Sequence, residues 1–497
     1  MRHRKIKHRL MTVAFLLLIF VGVFFVVTIT QDLDNKAKGN NGIAKKETIV
    51  LWYSDEALTD YLNNKALAFY EKTDIRVEPK LVSGLEYLEE INRASVNVNA
   101  QDDAQQVEAP DVYLLTNDSL EKAYLAGLAV EFPADGLVSD QTLFNDAARN
   151  AVTYNGKYIA CPLYFETSAL LYNKTYLEQI VQKENEANML AATTENPEGA
   201  PASENQETQV AEVVELTSDD LIPSSIVDIL AFADKYSAPE NVEYFFRWDV
   251  SDILYNYFFI GNYISVGGEC GDDATNVNIY NTESIASMKV YQELNQFFSI
   301  DAKETNYDTI MQEFLEGKTI YTIATSDCMN KLDKAIADGE FAYEYGVASL
   351  PDINQELVTK GMSVTTALAV NGYSKHKEAA NDFIAYLVRE ASCDLYTMTG
   401  KVSAVNQTSY SNAYEEAFVK NYAESISMPK LIETSNFWVE LEICLAKVWN
   451  GEDANGQLRA LSEKMKTQLA GEAVVEEILE DPDVELLSAV SYEENVD

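Results

Sequence analysis

The chain has 497 residues, 47% of them apolar and 11% aromatic, enough for two or three globular domains of roughly 100 to 200 residues each. Its 80 acidic and 37 basic residues give a net charge of −43, and a polyanionic surface repels nucleic acid, so we expect no nucleic-acid partner. Three histidines and five widely separated cysteines exclude most histidine-based catalysis, disulfide frameworks and Cys/His metal sites.

The N-terminus predicts a membrane anchor. A basic segment at residues 1–9 precedes an uncharged apolar run at residues 10–30, which as a helix matches a hydrocarbon layer of roughly 30 Å. The positive charges place residues 1–9 in the cytoplasm and the body of the chain outside the cell. The alternative is a cleaved signal peptide, although no Ala-x-Ala site follows the run. A polar tether at residues 31–46 leads to the body.

From residue 47 onward the hydrophobic pattern predicts an α/β fold. A continuous apolar run at 49–53 predicts a buried parallel strand, and helical and strand patterns then alternate up to a third strand at 111–115. Units of this kind wind into an open sheet that binds ligands beside the carboxyl ends of its strands. The same patterns predict later helices at 224–236, 282–298, 306–316, 376–389 and 434–449, and strands at 319–324, 345–350 and 363–370.

Two acidic segments lack a sustained apolar period. They are an insertion at residues 183–218, rich in Glu, Ala, Thr and Asn, and a tail at residues 471–497 with ten acidic residues and no basic one. Such compositions are typical of exposed, unstructured chain. We therefore expect both segments to be solvated additions to the body, with no binding role.

Several motifs, in this order and spacing, resemble family 1 extracellular solute-binding proteins, the maltose-binding-protein-like receptors of ABC importers. They are IVLWYS at 49–54, FYEKTDIRVE at 69–78, APDVYLL at 109–115, AGLAVEF at 126–132, YNGKYIACPLYFETSALLYNK at 154–174, FLEGKTIYTI at 314–323, YGVASLP at 345–351 and SNFWVELEICLAKVWNG at 435–451. The resemblance implies two α/β lobes with a ligand cleft between them. It places lobe 1 at 47–163 and 349–405, and lobe 2 at 164–348 and 406–470.

The resemblance also implies ligand-binding residues. Glu166 falls where sugar-binding relatives use an acidic acceptor for hydroxyl groups, and a carboxylate that caps the hinge is the alternative. Trp438 falls where those relatives stack an aromatic ring on a sugar face, and core packing is the alternative. Asp118 matches an acidic acceptor at a strand end.

Other candidates follow from position. Where sugar binders carry Gly-Pro-Trp after a strand, this chain has Thr-Ser-Asp, which ends at Asp327, and an aromatic residue near the third strand is replaced by Leu115. These departures favour a smaller, more polar or cationic ligand. The loop after the first strand and a Tyr-rich stretch of lobe 2 supply further candidates, for which a bystander or core role is the alternative. These candidates are Tyr53, Ser54, Glu56, Asp249 and Tyr255.

The predicted function is the capture of a sugar, amino sugar or cationic solute outside the cell. Lobe closure would present the solute to the permease subunits of an ABC importer, and the protein would act as a monomer without cofactor, metal or catalytic residues. One alternative is a membrane-tethered sensor or adhesin that uses the same body. Another is a surface glycosidase, whose paired carboxylates need no histidine.

Overall fold

The computed structural model describes residues 47–84, 86–96, 108–195 and 215–484, and the predicted basic segment, membrane span and tether lie outside them. Within these ranges no helix is both long and apolar enough to cross a membrane. The α-helices are α1 (Thr59–Thr73), α2 (Tyr87–Val96), α3 (Leu120–Leu125), α4 (Asp146–Ala151), α5 (Lys174–Glu195), α6 (Ile226–Lys235), α7 (Thr282–Phe298), α8 (Tyr307–Leu315), α9 (Cys328–Asp338), α10 (Lys377–Tyr386), α11 (Leu395–Thr399), α12 (Glu415–Glu424), α13 (Phe437–Trp449) and α14 (Ala454–Ala470).

The strands form one ten-stranded sheet and two small hairpins. They are β1 (Thr48–Tyr53), β2 (Arg76–Leu81), β3 (Val112–Thr116), β4 (Thr153–Tyr154), β5 (Lys157–Tyr158), β6 (Cys161–Asn173), β7 (Tyr244–Phe246), β8 (Ser265–Gly267), β9 (Asp273–Asn278), β10 (Thr319–Thr325), β11 (Tyr345–Ala348), β12 (Met362–Val370), β13 (Val402–Ser403) and β14 (Ile426–Ser427). The large sheet runs β2-β1-β3-β12-β6-β10-β7, with β11 and β13 paired to β6 and β14 paired to β12.

The N-terminal part of the sheet has the predicted parallel winding. β1 pairs in parallel with both β2 and β3, and β12 then pairs antiparallel to β3 and β6. All but the first residue of β1 is buried, as expected for a strand covered on both faces. The mixed α/β class predicted from the periodicity is confirmed.

Helix ends follow local side-chain chemistry. Asn281 and Ser225 begin α7 and α6 with capping boxes, in which each side chain bonds the third helical amide. α1 ends at Asp74 in the left-handed conformation. Gly267 has a φ of 87°, and a Cβ there would lie 2.4 Å from the backbone of Gly271. The tight turn at this position therefore requires glycine.

Two hydrophobic cores lie on this sheet, and the three strands β6, β10 and β12 contribute to both. The first core contains Ala169 and Leu171 of β6, whereas Leu170 between them belongs to the second. β12 changes core along its length, since Met362 lies in the second core and Leu368 in the first. The two cores are therefore connected directly, because the same strand, β6, packs in both of them.

Parts of both acidic segments are ordered, contrary to the sequence-based expectation. α5 continues to Glu195, and Asn185 on it exchanges two hydrogen bonds with the backbone of Leu216; the Glu, Ala and Leu residues there are good helix formers. Residues 472–484 run along the second core, where Leu479 and Val484 pack against it. Residues 196–214 and 485–497 lie outside the described ranges.

A buried lysine, Lys430, also connects two segments that are distant in sequence. Lys430 is 1% exposed. Its Nζ donates a hydrogen bond to the carbonyl of Asn150 at 2.8 Å and another to the carbonyl of Cys270. Asn150 lies on α4 beside the first core, and Cys270 lies in the turn between β8 and β9. Burial lowers the pKa of Lys430 to about 8, against the opposing effects of Cys270 and Asp272.

Candidate functional site

The carboxyl ends of β1 and β3 lie side by side, because these strands pair in parallel. Asp55 follows β1 and accepts a hydrogen bond from the amide of Ala57. Asp118 follows β3 and is exposed, and its carboxylate accepts hydrogen bonds from the hydroxyl groups of Thr116 and Ser119. Ligands of open α/β sheets bind at such ends, so this edge forms one part of the candidate site.

Lys401 joins this edge to β6. Its Nζ lies 3.0 Å from Asp55 Oδ2, 2.9 Å from Glu166 Oε1 and 5.4 Å from the centre of the Tyr164 ring. The side chains of Lys401, Asp55 and Glu166 are 19%, 32% and 34% exposed. Burial lowers the pKa of Lys401, but Glu166, Tyr164 and Asp55 raise it by more, so the net shift is upward. We call Asp55, Glu166 and Lys401 the ion-pair cluster.

Asp327 lies on the other side of β6. The amide of Ser326 donates a hydrogen bond to the carbonyl of Thr167 on β6 at 3.1 Å, which fixes the end of β10 against that strand. The Tyr307 hydroxyl donates to Asp327 Oδ1 at 2.9 Å, and Lys331 Nζ lies 3.1 Å from Asp327 Oδ2. The charge of Asp327 is therefore balanced within the protein.

A cavity of about 530 Å³ opens beside Asp327, and we call it the acidic pocket. Its lining residues are Asp249, Ser251, Asp252, Tyr255, Asn306, Tyr307, Asp308 and Glu442. The rings of Tyr255 and Tyr307 stack with their centres 4.8 Å apart and their planes at 20°. Thr325 connects the pocket to Asp327, because its hydroxyl lies 3.2 Å from the Tyr255 hydroxyl and bonds the Asp327 carboxylate.

Two carboxyl groups of the acidic pocket favour the neutral form more than usual. Burial, and then the charge of Asp249, raises the pKa of Asp252. Burial, and then the charges of Asp252 and Asp249, raises the pKa of Glu442. A protonated carboxyl both donates and accepts hydrogen bonds, as a ligand hydroxyl does. Across the described ranges, no three His, Cys, Asp or Glu side chains are placed to hold a metal ion.

Trp438 lies in the first turn of α13, the helix that contributes Glu442 to this pocket. Its indole is half-buried and meets the rings of Tyr257 and Phe437 at an angle, with centres 5.5 and 5.1 Å away. Glu442, which lines the pocket, is one helical turn further along the same face of α13. The indole therefore packs against two rings and is partly exposed to solvent.

Comparisons with known proteins identify the family of the chain. A model of the family described as bacterial extracellular solute-binding protein matches residues 65–424. The chain belongs to this family. The maltodextrin-binding protein MdxE of Bacillus subtilis (strain 168) is 21% identical in an alignment of 428 positions that covers 83% of this chain and 89% of that protein. The maltotriose-binding protein of Pyrococcus abyssi (strain GE5 / Orsay) is 24% identical over 249 residues, 50% of this chain and 43% of that protein.

Solved structures of similar proteins show the same fold. An extracellular solute-binding protein of Staphylococcus aureus, in complex with maltose, has a TM-score of 0.65 and 19% identity, covering 86% of this chain and 98% of that one. A cyclo/maltodextrin-binding protein with maltotetraose has the same TM-score and identity, covering 87% and 99%. These relatives are named as binding proteins, and none of them as an enzyme.

The residues predicted to bind the solute differ in burial and in location. Ser54 and Glu56 are exposed at the edge beside Asp55. Tyr53 is instead a core residue, because its ring is 2% exposed and its hydroxyl donates to Thr59 at 3.0 Å. Asp249 and Tyr255 are also largely buried but line the acidic pocket, and Glu166, Asp118, Asp327 and Trp438 occupy the positions described above.

The sequence analysis missed several residues of the site, chiefly Lys401, Lys331, Tyr307 and Glu442. The signal for Glu442 is its position four residues after Trp438 on the same helical face. Lys331 carries a similar signal, because it follows Asp327 by four residues at the start of α9. For Lys401 and Tyr307 the partners are distant in sequence, so no local pattern marks them.

Proposed function

We propose that this protein binds a carbohydrate or a similar small polar solute outside the cell and delivers it to the permease of an ABC importer. On this proposal the two cores form two lobes, and the solute binds beside β6, where the ion-pair cluster, Asp118, Asp327 and the acidic pocket supply polar contacts and Trp438 a stacking surface. No reaction is assigned to the protein, because binding and release suffice for this role.

The observation that carries this proposal is the clustering of carboxylates beside β6, a strand that contributes to both cores. Glu166 lies on β6, and Asp55 shares Lys401 with it. Asp118 follows β3, which pairs with β1, and Asp327 follows β10, which pairs with β6. Carboxylates accept hydrogen bonds from sugar hydroxyls, and an indole packs against the apolar face of a sugar ring. The names of the relatives, which bind maltodextrin or maltotriose, support the carbohydrate assignment.

Solute capture by such a protein requires contact with both lobes. A ligand shifts a conformational equilibrium only by its difference in affinity for the two states. A solute held by Glu166 and Asp118 on one side and by Trp438 and Asp327 on the other would favour the closed state. The permease would then distinguish the loaded protein from the empty one by shape.

Thermal denaturation against a solute panel tests the proposal. We expect one or more of maltose, maltotriose, maltotetraose, glucosamine and spermidine to raise the unfolding midpoint, because a ligand at a hundredfold excess over its Kd adds about 2.7 kcal/mol of stability. Absence of any shift across a wide panel would contradict the receptor function. Hydrolysis of a bound glycan would instead support the glycosidase alternative.

A second experiment separates import from sensing. Import requires permease and ATPase subunits, so genes for such subunits beside this one, and loss of solute uptake when this gene is deleted, are the expected results. Normal uptake after deletion would favour the tethered sensor or adhesin.

A further inference from the structure

The acids at the centre of the site are paired with lysines of the same chain. Lys401 is shared between Asp55 and Glu166, at 3.0 and 2.9 Å. Lys331 lies 3.1 Å from Asp327. The ion-pair cluster thus holds two carboxylates and one ammonium ion. In the acidic pocket, Asp252 and Glu442 have a raised pKa. The acidic side chains alone would suggest a cationic solute, but Lys401 and Lys331 lower the negative charge at Asp55, Glu166 and Asp327.

The ammonium group of Lys401 is fixed by contacts with two carboxylates and an aromatic ring. Glu166 belongs to the central strand β6, Asp55 follows the buried strand β1, and the Tyr164 ring lies 5.4 Å from the ammonium group. The side chain is 19% exposed, so it is mostly packed but still reaches solvent. An ammonium group has three N–H donors; Lys401 donates one to Glu166 and is ion-paired with Asp55, so a third N–H remains for a ligand.

The position of Lys401 has two consequences for a solute. The third N–H can donate to a hydroxyl or ring oxygen, because both neighbouring carboxylates orient the group at the exposed edge. A ligand ammonium brought to Asp55 or Glu166 would meet a fixed like charge within a few ångström, and like charges at such distances repel strongly where water is partly excluded.

We propose that Lys401 is a specificity-determining residue that selects an uncharged, polyhydroxylated solute and rejects a cationic one. Lys401 satisfies Asp55 and Glu166 in the absence of a solute, donates to the solute when it binds, and denies the two carboxylates to a competing amine. This inference rests on the proposed receptor function, because it concerns what the same site accepts.

Direct calorimetric titration of the full chain, kept in a glycoside-free detergent, tests the inference. The probes are neutral maltose and maltotriose, and cationic glucosamine and spermidine. We expect the unmodified protein to prefer a neutral probe. Lys401→Met should weaken that probe roughly ten- to hundredfold, since a hydrogen bond from a charged donor is lost, and should strengthen a cationic probe, since two carboxylates lose their partner.

Two further variants keep the result interpretable. Lys401→Arg retains the positive charge and should keep the preference for the neutral probe even where its affinity falls. Lys80→Met removes a lysine that is also paired with a carboxylate, Glu108 at 2.9 Å, and should leave both probes unchanged. Lys401→Met must bind the cationic probe more tightly than the unmodified protein does, which an unfolded variant would not do.

The outcomes separate this inference from the receptor function. Preference of the unmodified protein for a cationic probe, or equal neutral-sugar binding by Lys401→Met, would overturn the role of Lys401 while leaving solute binding intact. Failure of the unmodified protein to bind any probe would overturn the receptor function together with this inference.

Discussion

Trp438 is only half-buried, so its replacement separates binding from stability. For Trp438→Ala we expect at least tenfold weaker solute binding, because the stacking surface is lost. The free energy of unfolding should fall by less than about 2 kcal/mol, since a half-buried side chain leaves a smaller cavity than a core one. Calorimetric titration and urea unfolding measure the two effects.

Phe437, the residue before it, provides the matched control because its ring is 1% exposed. Phe437→Ala should cost about 3 to 5 kcal/mol of stability. If Trp438→Ala destabilised the fold as much as Phe437→Ala and left solute affinity unchanged, the indole would be a packing residue only.

Lys430 makes stability depend on pH in the alkaline range. Its pKa is about 8 in the folded protein and 10.5 in its ordinary state, so the unfolded chain binds more protons between these values and stability rises with pH. The expected gain is about 1 kcal/mol between about pH 8 and 9. Urea unfolding of the unmodified protein and of Lys430→Met measures it as a difference. A difference that does not vary with pH would show that Lys430 has an ordinary pKa.

At the residue level, motif position predicted Glu166, Asp118, Asp327 and Trp438 as ligand contacts, and these assignments stay predictions for the binding experiments. Tyr53 is buried, which matches the alternative of a core role, and the reason is visible in the sequence. It is the last residue of a continuous apolar run, and such runs indicate burial on both faces of a sheet. Lys401 could not be predicted, because it is 235 residues from Glu166 and the chain reversal that joins them is a property of the whole fold.

At the level of helices and strands, periodicity predicted the long elements well. Predicted helices at 282–298 and 306–316 correspond to α7 and α8, and the predicted strand at 319–324 corresponds to β10. Composition was a poorer guide for the acidic segments. Charge density indicates solvation, but a few apolar residues, such as Leu479, suffice to hold such a segment against a core when hydrogen bonds assist.

The C-terminal segment 472–484 should therefore contribute to stability. Lys289 pairs with Asp481 at 3.0 Å, and the Tyr280 hydroxyl accepts from the amide of Leu479 at 3.0 Å. Truncation after Gly471 should cost roughly 2 to 4 kcal/mol through lost apolar burial and hydrogen bonds. Truncation after Val484, which keeps these contacts, is the control. Equal denaturation midpoints for both truncations would mean that the packed segment contributes nothing.

At the level of the whole molecule, the resemblance predicted two lobes with a boundary between residues 163 and 164. The structure has two cores, but that boundary falls inside β6. Sequence patterns could not reveal this, because a strand that serves two cores has the same continuous apolar pattern as a strand buried in one.

Because β6 and β12 contribute to both cores, we expect the protein to unfold in one cooperative transition. Cooperative unfolding is usual when no part of a structure can lose its packing without disturbing the rest. Differential scanning calorimetry should give a single peak with equal calorimetric and van't Hoff enthalpies, and a bound solute should shift that peak as a unit. Two resolved peaks would show that the cores are independent.

The shared strand also limits how such receptors can exchange parts. In a chimera that took one lobe from another receptor, β6 would pack against one core of its own chain and one core of the other receptor. Recombination at the apparent domain border would therefore damage the core on the retained side, unless the residues of β6 were replaced together with their neighbours on β12. We therefore expect single substitutions in the candidate site to change solute preference with less loss of stability than the exchange of a whole lobe.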